Sequence, residues 1–390
     1  MNLTPTRNRL VDSAIILIFL VALSAPLLTW LAGKDIFYSE VEKRELQPFP
    51  SITRQDSITG FSRAFDDYFQ DHFGLREWLI HRYQREVRKR FGISGVPVVV
   101  EGRDGWYYFS GERSIDDLKG DVRFSKEDEQ LFWRKLSQKE EWFKKRGAAY
   151  IFLVAPNKQS IYPEYLPLHY LQGKKASRLD QLLAVRPQKA GQTFLDIRSR
   201  LSQGKSMMRL YDKSDTHWNY QGAYLAYQAI MERTQSLFPD FQVPDSFQFA
   251  PMWGEYIGGD LALMMGRRKS IVEKRPILER RDFISVRKEL GPQLTNLLTL
   301  RQLKPFYSEK QSGKLRVLVL HDSFFNHLKP FMGESFGEVL YIWQYYDKAT
   351  LEFFSSNNLA ALMEIYQPDL VIEETLERYL PRFLSISVQD

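Results

Sequence analysis

The chain has 390 residues, room for one large domain or two moderate ones, and its 44% apolar and 26% charged residues are ordinary for a folded protein with a sizeable core. A net charge of +6 is spread along the chain, densest at residues 85–90 and 267–269. Solvated faces are the default explanation for these two runs and an anionic membrane surface or acidic polymer the sharper one; no nucleic-acid motif accompanies them, and no nucleic-acid partner is expected. There is no cysteine, which excludes thiolate nucleophiles, disulfides and Cys-ligated metals.

Residues 13–32 carry no charge and are rich in Ile, Leu, Val and Ala. Such a run spans about 30 Å as a helix, the thickness of a bilayer core. Arg7 and Arg9 precede it, which keeps the N-terminus in the cytoplasm and puts the rest outside. A cleaved signal peptide competes with an uncleaved anchor. The apolar run is longer than a usual signal core, and Leu31-Ala32-Gly33 offers no clear cleavage site, which favours the anchor. The expected organisation is a cytoplasmic 1–12, a transmembrane 13–33, an extended connector over 34–60 that contains Pro48 and Pro50, and one domain over 61–390.

Phe61, Phe65, Tyr68, Phe69 and Phe73, then Leu75, Trp78, Leu79, Tyr83 and Val87, predict two helices on either side of Gly74, with His72 a structural histidine among the rings. Residues 102–109 read as a turn and an aromatic strand, and Ser125 with Asp128 caps a helix that ends near Gly147. The apolar run 149–155 predicts a buried parallel strand, and Asn157-Lys158 follow at its carboxyl end, where α/β sheets place their sites. Short strands are expected at 192–197, 315–320, 339–343 and 369–373, and helices at 222–238 and 351–366. Residues 251–307, with a turn at Gly258-Gly259-Asp260, read as an insertion or a lid. The alternation of helix and strand argues for an α/β fold, a parallel sheet covered on both faces. The abundant aromatics (27 Phe, 20 Tyr, 8 Trp) suit such a core, or a carbohydrate groove in which flat rings cover sugar faces.

Two short segments carry chemistry. Ser323 directly follows the strand at 315–320, at the usual functional edge, although serine or aspartate there also serves as a helix cap. Asp215-x-His217 offers a carboxylate that can accept from Nδ1–H and leave Nε2 free to deprotonate a hydroxyl, and the bland alternative is a satisfied histidine. Asp and His also bind metals, but no H-x-x-x-H or similar partner accompanies them, so no metal is expected. His321 and His327 are rival bases nearer to Ser323 in sequence.

Asp215-Thr216-His217-Trp218 and His321-Asp322-Ser323-Phe324 resemble the D-x-H-W and G-D-S-F-type segments of the AlgJ/AlgX-type alginate (polysaccharide) O-acetyltransferases. Arg44 to Pro50, Asp71 to Arg76, Gly105 to Phe109, Ala155 to Lys158, Gly259 to Leu261 and Pro368 to Ile372 are similar too, in one order along the chain. The resemblance implies a permuted SGNH-hydrolase-like domain and a catalytic triad of Asp215, His217 and Ser323. Asn157, Lys158, Trp218 and Asp322 are the expected oxyanion or substrate contacts, with the Ser323 N–H as a further oxyanion donor. His321 stands where the family usually has glycine. The implied activity is acetyl transfer to an exopolysaccharide hydroxyl through a serine acyl-enzyme, without a cofactor. The acetyl donor would be supplied through a membrane-bound O-acyltransferase, with the catalytic domain in the periplasm and a single-pass anchor in the inner membrane. A carbohydrate esterase with the same triad, or a non-catalytic polysaccharide-binding subunit, are the alternatives.

Overall fold

The computed structural model describes residues 9–32, 38–39, 44–50, 58–91, 95–244, 249–278, 284–344, 348–355 and 357–385. The chain forms two compact units: Met1–Pro97 with Ala262–Arg268, and Val98–Leu261 with Lys269–Asp390. Arg7, Gly33 and most of the connector expected over 34–60 lie outside the described residues.

In the first unit the uncharged run forms the helix Arg9–Ala32, within which Val11–Trp30 is long and apolar enough to cross a membrane, with a mean hydropathy of 2.4 and none of that window buried. The two aromatic-striped helices are Ile58–His72 and Arg76–Phe91, and Leu75 between them adopts φ 68°, which closes the turn. Both of these helices belong to the first unit. His72 is structural in its contacts: its ring stacks on Tyr68 at 4.2 Å, and its Nδ1 bonds the Tyr68 carbonyl at 3.0 Å. Glu86 lies within 4 Å of Arg82 and of Arg90 on an exposed face, which fits a solvated surface for part of the 85–90 run.

The second unit is built on a seven-stranded sheet. Its order is Phe194–Asp196, Ala149–Ala155, Leu370–Leu376, Arg316–His321, Glu338–Trp343, Phe306–Glu309 and Val286–Lys288. The first five strands are parallel, as alternation predicted. The last two are antiparallel, so the sheet is mixed rather than wholly parallel. Val286–Lys288, at the edge, and the start of Phe306–Glu309, beside it, come from the stretch read as an insertion or a lid, where short strands give little apolar period. Residues 351–366 are two helices, Lys348–Ser355 and Asn358–Tyr366, rather than one. Ser355 and Asn357, at the end of one helix and just before the next, are residue types that favour turns over helix interiors.

Ile151, Phe152, Leu153 and Val154 are fully buried, each contributing about 1.5–3 kcal/mol relative to exposure. The helix Lys126–Lys144 starts from a capping box of Ser125 and Asp128 and lays Phe132 against Phe152 and Phe194, with ring centroids 5.9 and 6.1 Å apart. On the helix Tyr220–Leu237, Ala223, Ala226 and Ile230 are buried.

The strand Leu370–Leu376 runs three residues beyond the expected end at Glu373 and is buried throughout. Carboxylates inside a sheet need partners. Glu373 receives Lys139 Nζ and the Tyr150 hydroxyl, and Glu374 accepts the Asp322 N–H at 3.0 Å. Just after the strand, Glu377 accepts the Asn157 N–H at 2.9 Å and the Ser160 hydroxyl at 2.6 Å. Burial pushes the Glu377 carboxyl up to about 7, although Arg198 pulls the other way. The folded protein therefore holds this proton where the unfolded chain, with an ordinary glutamate near about 4.3, has released it. The contribution is full below the unfolded value and is lost as pH rises towards the folded one. The unfolding free energy from urea titration should decline across that window more steeply for wild type than for Glu377→Gln; equal slopes would contradict this assignment.

Candidate active site

The loop that leads to His217 is tied down from several sides. Asp215 forms an Asx turn, its Oδ1 accepting the His217 N–H at 2.9 Å and His217 Nδ1 at 2.7 Å. A spacing of two suits this, because one carboxylate oxygen meets both groups of the same residue. Asp215 Oδ2 accepts the Asp260 N–H at 3.2 Å. Burial acts to raise the Asp215 carboxyl, but the His217 ring and these hydrogen bonds outweigh it and hold the group well below the usual carboxylate range. An ionised carboxylate can only accept, so Nδ1 carries the imidazole proton and Nε2 is left as an acceptor. Nε2 lies 2.7 Å from Ser323 Oγ. The three groups form one continuous chain, carboxylate to imidazole to hydroxyl.

Ser323 opens a 3₁₀ turn, Ser323–His327, at the carboxyl end of the central strand Arg316–His321. Asp322 is the cap of that turn. Its Oδ1 accepts the Phe324 N–H at 2.9 Å and its Oδ2 the Leu376 N–H at 3.0 Å, which binds the Ser323 turn to the neighbouring strand. Both oxygens are thus engaged inside the protein and the residue is buried, so Asp322 holds the turn in place. Burial pushes its carboxyl up, and does so more strongly for Glu374 beside it. Trp218, expected as a substrate contact, is buried instead. Its Nε1–H donates to the Phe324 carbonyl at 2.9 Å and fastens the His217 loop to the Ser323 turn.

Lys158 also departs from its expected role. Its buried ammonium donates to the carbonyls of Asp212, Lys213 and Asp215 at 3.1, 2.9 and 2.6 Å. All three donors are taken up by the loop, and burial pulls the group down to about 8 against the pull of nearby acids. Asn157 remains a donor candidate. Arg378 Nη1 donates to its Oδ1 at 3.1 Å, and because arginine cannot accept, this contact fixes the amide with Nδ2 on the other side. The Ser323 N–H makes no hydrogen bond to another described residue.

The rival histidines are elsewhere. His321 is fully buried, its Nδ1 against the Asp322 carbonyl at 2.6 Å and its ring near Phe325 and Trp343. Its side chain is accommodated in the core, where it leaves the Ser323–His217 contact intact. The His327 ring rests on Tyr220 at 4.9 Å and lies 6.4 Å from His217.

Sequence reading assigned no role to Asp260, Gly259 or Glu273. Asp260 accepts the Thr216 N–H at 2.7 Å and the Thr216 hydroxyl at 2.6 Å. A Cβ on Gly259 would stand 2.3 Å from Asp215 Oδ2, so only glycine lets this turn close on the carboxylate. Glu273 accepts the N–H groups of Lys213 and Ser214, each at 2.8 Å. Glu273 lies on the antiparallel hairpin Phe249–Ile257 and Val272–Leu278, which the sequence left as an insertion or lid and which here helps to brace the His217 loop. The glycine-marked turn was the available signal. Asp215, His217 and Asp260 present ligand atoms within 4.8 Å of one another, but the donors are engaged with each other and with Thr216, and a cation there would have to break the Asp215–His217 bond.

Residues 99–293 match the family described as the SGNH-hydrolase-like domain of acetyltransferase AlgX, a segment that includes Asp215 and His217 and ends before Ser323. Among named relatives, the probable alginate O-acetylase AlgJ of Pseudomonas putida is 24% identical over 219 residues, 54% of each chain. That of Pseudomonas aeruginosa is 27% identical over 191 residues, 45% of this chain and 46% of the relative. The chain spans about half the length of the curated relatives it matches. Among solved structures, the O-acetyltransferase domain of Pseudomonas putida AlgJ aligns over 73% of this chain and 92% of its own with 18% identity and a TM-score of 0.43. Bacillus cereus PatB1 aligns over 73% and 97% with 15% identity and a TM-score of 0.47. With half of its length matched by the family model, the chain belongs to the AlgX-type SGNH-hydrolase-like acetyltransferase family.

Proposed function

We propose that the protein transfers acetyl groups to hydroxyls of a polysaccharide through an acetyl-Ser323 intermediate, with His217 as the base and Asp215 as its orienting carboxylate. The observation that carries this reading is the unbroken run of two 2.7 Å hydrogen bonds from Asp215 through His217 to Ser323. In the first half, Ser323 Oγ attacks the donor's acetyl carbonyl while its proton passes to His217 Nε2. The bond to the donor's leaving oxygen then breaks, and that oxygen takes the proton from Nε2. In the second half, a sugar hydroxyl gives its proton to Nε2 and attacks the acetyl carbon. Ser323 leaves and recovers the proton. The Ser323 N–H and Asn157 Nδ2 are the donors proposed for the tetrahedral oxyanion. The apolar helix at Arg9–Ala32 serves as a single-pass anchor in the inner membrane in this reading, with the domain in the periplasm and the acetyl donor delivered by a membrane-bound O-acyltransferase. An alginate-like acceptor is taken from the names of the relatives.

Ser323→Ala should abolish acetylation of the polymer while circular dichroism stays unchanged; retained acetylation would refute the assignment. Asp215→Asn should lower kcat by about 10³- to 10⁴-fold, since the imidazole loses both its orientation and its preferred tautomer. Product analysis with an acetyl donor and an oligosaccharide separates transfer, seen as acetylated sugar, from hydrolysis, seen as free acetate alone. Lys158→Ala removes the shared donor of three carbonyls in the His217 loop. It should lower the unfolding free energy by about 2–4 kcal/mol and reduce kcat more than it changes KM. An unaltered urea midpoint would show that the brace is dispensable.

A further inference from the structure

Beside the Ser323 turn, three cations gather with no described acid paired to them. Arg287 Cζ stands 5.1 Å from the Phe306 ring centroid, and Lys329 Nζ lies 5.4 Å from the same ring and 5.3 Å from that of Tyr341. Lys304 Nζ lies 4.7 Å from the Trp343 ring. Among the described residues, none of the three makes an ion pair or side-chain hydrogen bond, whereas Lys288, next to Arg287, pairs with Glu309 at 4.0 Å. Lys304 also holds φ 39°, in the left-handed region that side-chain-bearing residues rarely adopt. Burial pulls the Lys329 ammonium down to about 8, and Arg287 and Lys304 add to that as like charges.

The cluster borders the proposed nucleophile. Phe306 and Tyr341 are paired across adjacent strands, their rings 5.5 Å apart. Trp343 pairs in register with His321, two residues before Ser323, with rings 5.5 Å apart. Lys329 opens the helix Lys329–Ser335, directly after the turn that begins at Ser323. Uncompensated like charges repel, and an anion placed among them relieves that cost. Half-buried Phe306 and Trp343 add flat faces suited to sugar C–H groups.

We propose that Arg287, Lys304 and Lys329, over Phe306, Tyr341 and Trp343, form a subsite that holds the carboxylate of a uronic-acid unit of the acceptor chain. The subsite rests on the transferase reading above and adds to it a place where acceptor charge is sensed. The test is calorimetric titration of the full-length Ser323→Ala protein, which binds without turnover, using a uronic-acid hexasaccharide and its carboxyl-reduced, neutral counterpart. The acidic sugar should bind about tenfold more tightly or better, the scale of one or two charge-assisted hydrogen bonds. Adding Arg287→Gln, Lys304→Gln and Lys329→Gln together should bring the two sugars to within about twofold, Lys304→Gln alone should narrow the gap, and Lys304→Arg should preserve it. Equal binding of the two sugars, or a gap that survives the triple substitution, overturns the subsite. If the triple variant does not fold, an unchanged gap in Lys304→Gln, an exposed position, overturns it equally. A preference for the acidic sugar in a protein that never acetylates it keeps the subsite and removes the proposed reaction; acetylation with no charge preference does the reverse.

Discussion

The Asp215 carboxylate must stay ionised, partly buried and pointed at one imidazole, and much of the site is arranged to meet that demand. Without compensation, burial would favour its neutral form and the wrong tautomer of His217. Two N–H groups, from His217 and Asp260, and the imidazole itself supply that compensation. Lys158 adds a buried positive charge nearby and clamps the carbonyls of the same loop. Gly259 provides the space, because any side chain there would occupy the carboxylate's position.

The sheet settles where the other half of the site stands. A parallel strand brings Ser323 to the carboxyl edge, and a buried tryptophan donor spans from the His217 loop to the carbonyl just after the serine. The buried acids at the end of the adjacent strand Leu370–Leu376 belong to the same construction. Glu374 and Asp322 share the backbone of the Ser323 turn, while Glu377 holds the start of the segment that carries Asn157 and Lys158. A polar layer beneath the edge fixes three loops relative to one another, which is how groups distant in sequence are held at hydrogen-bond distance without a ligand.

The parallel core was legible because its strands are short apolar runs followed by turn residues, as at 149–155 and 316–321. Asp215, His217 and Ser323 stood out as residue types at a strand's end and at a spacing of two, but only the family resemblance joined them, and the structure places them in one hydrogen-bonded row. The roles of Lys158, Trp218 and Asp322 were not. All three read as polar or amphipathic residues at a functional edge, and only their partners, 52 to 57 residues away for Lys158 and Asp322 on other segments, show them to be braces. The antiparallel strands carry little sequence signal for a related reason. Val286–Lys288 is exposed throughout, so no burial period marks it. The Asp260–Thr216 contact spans 44 residues between two loops, and no local pattern announces such a pairing.

The central claim is that His217, held by Asp215, activates Ser323. It is tested most directly by treating the folded protein with a sulfonyl fluoride and mapping the adduct by peptide mass spectrometry. The account requires a single adduct on Ser323, formed rapidly in wild type and at least about a hundredfold more slowly in His217→Ala. Modification at another residue, or labelling of Ser323 at the same rate without the imidazole, would contradict it.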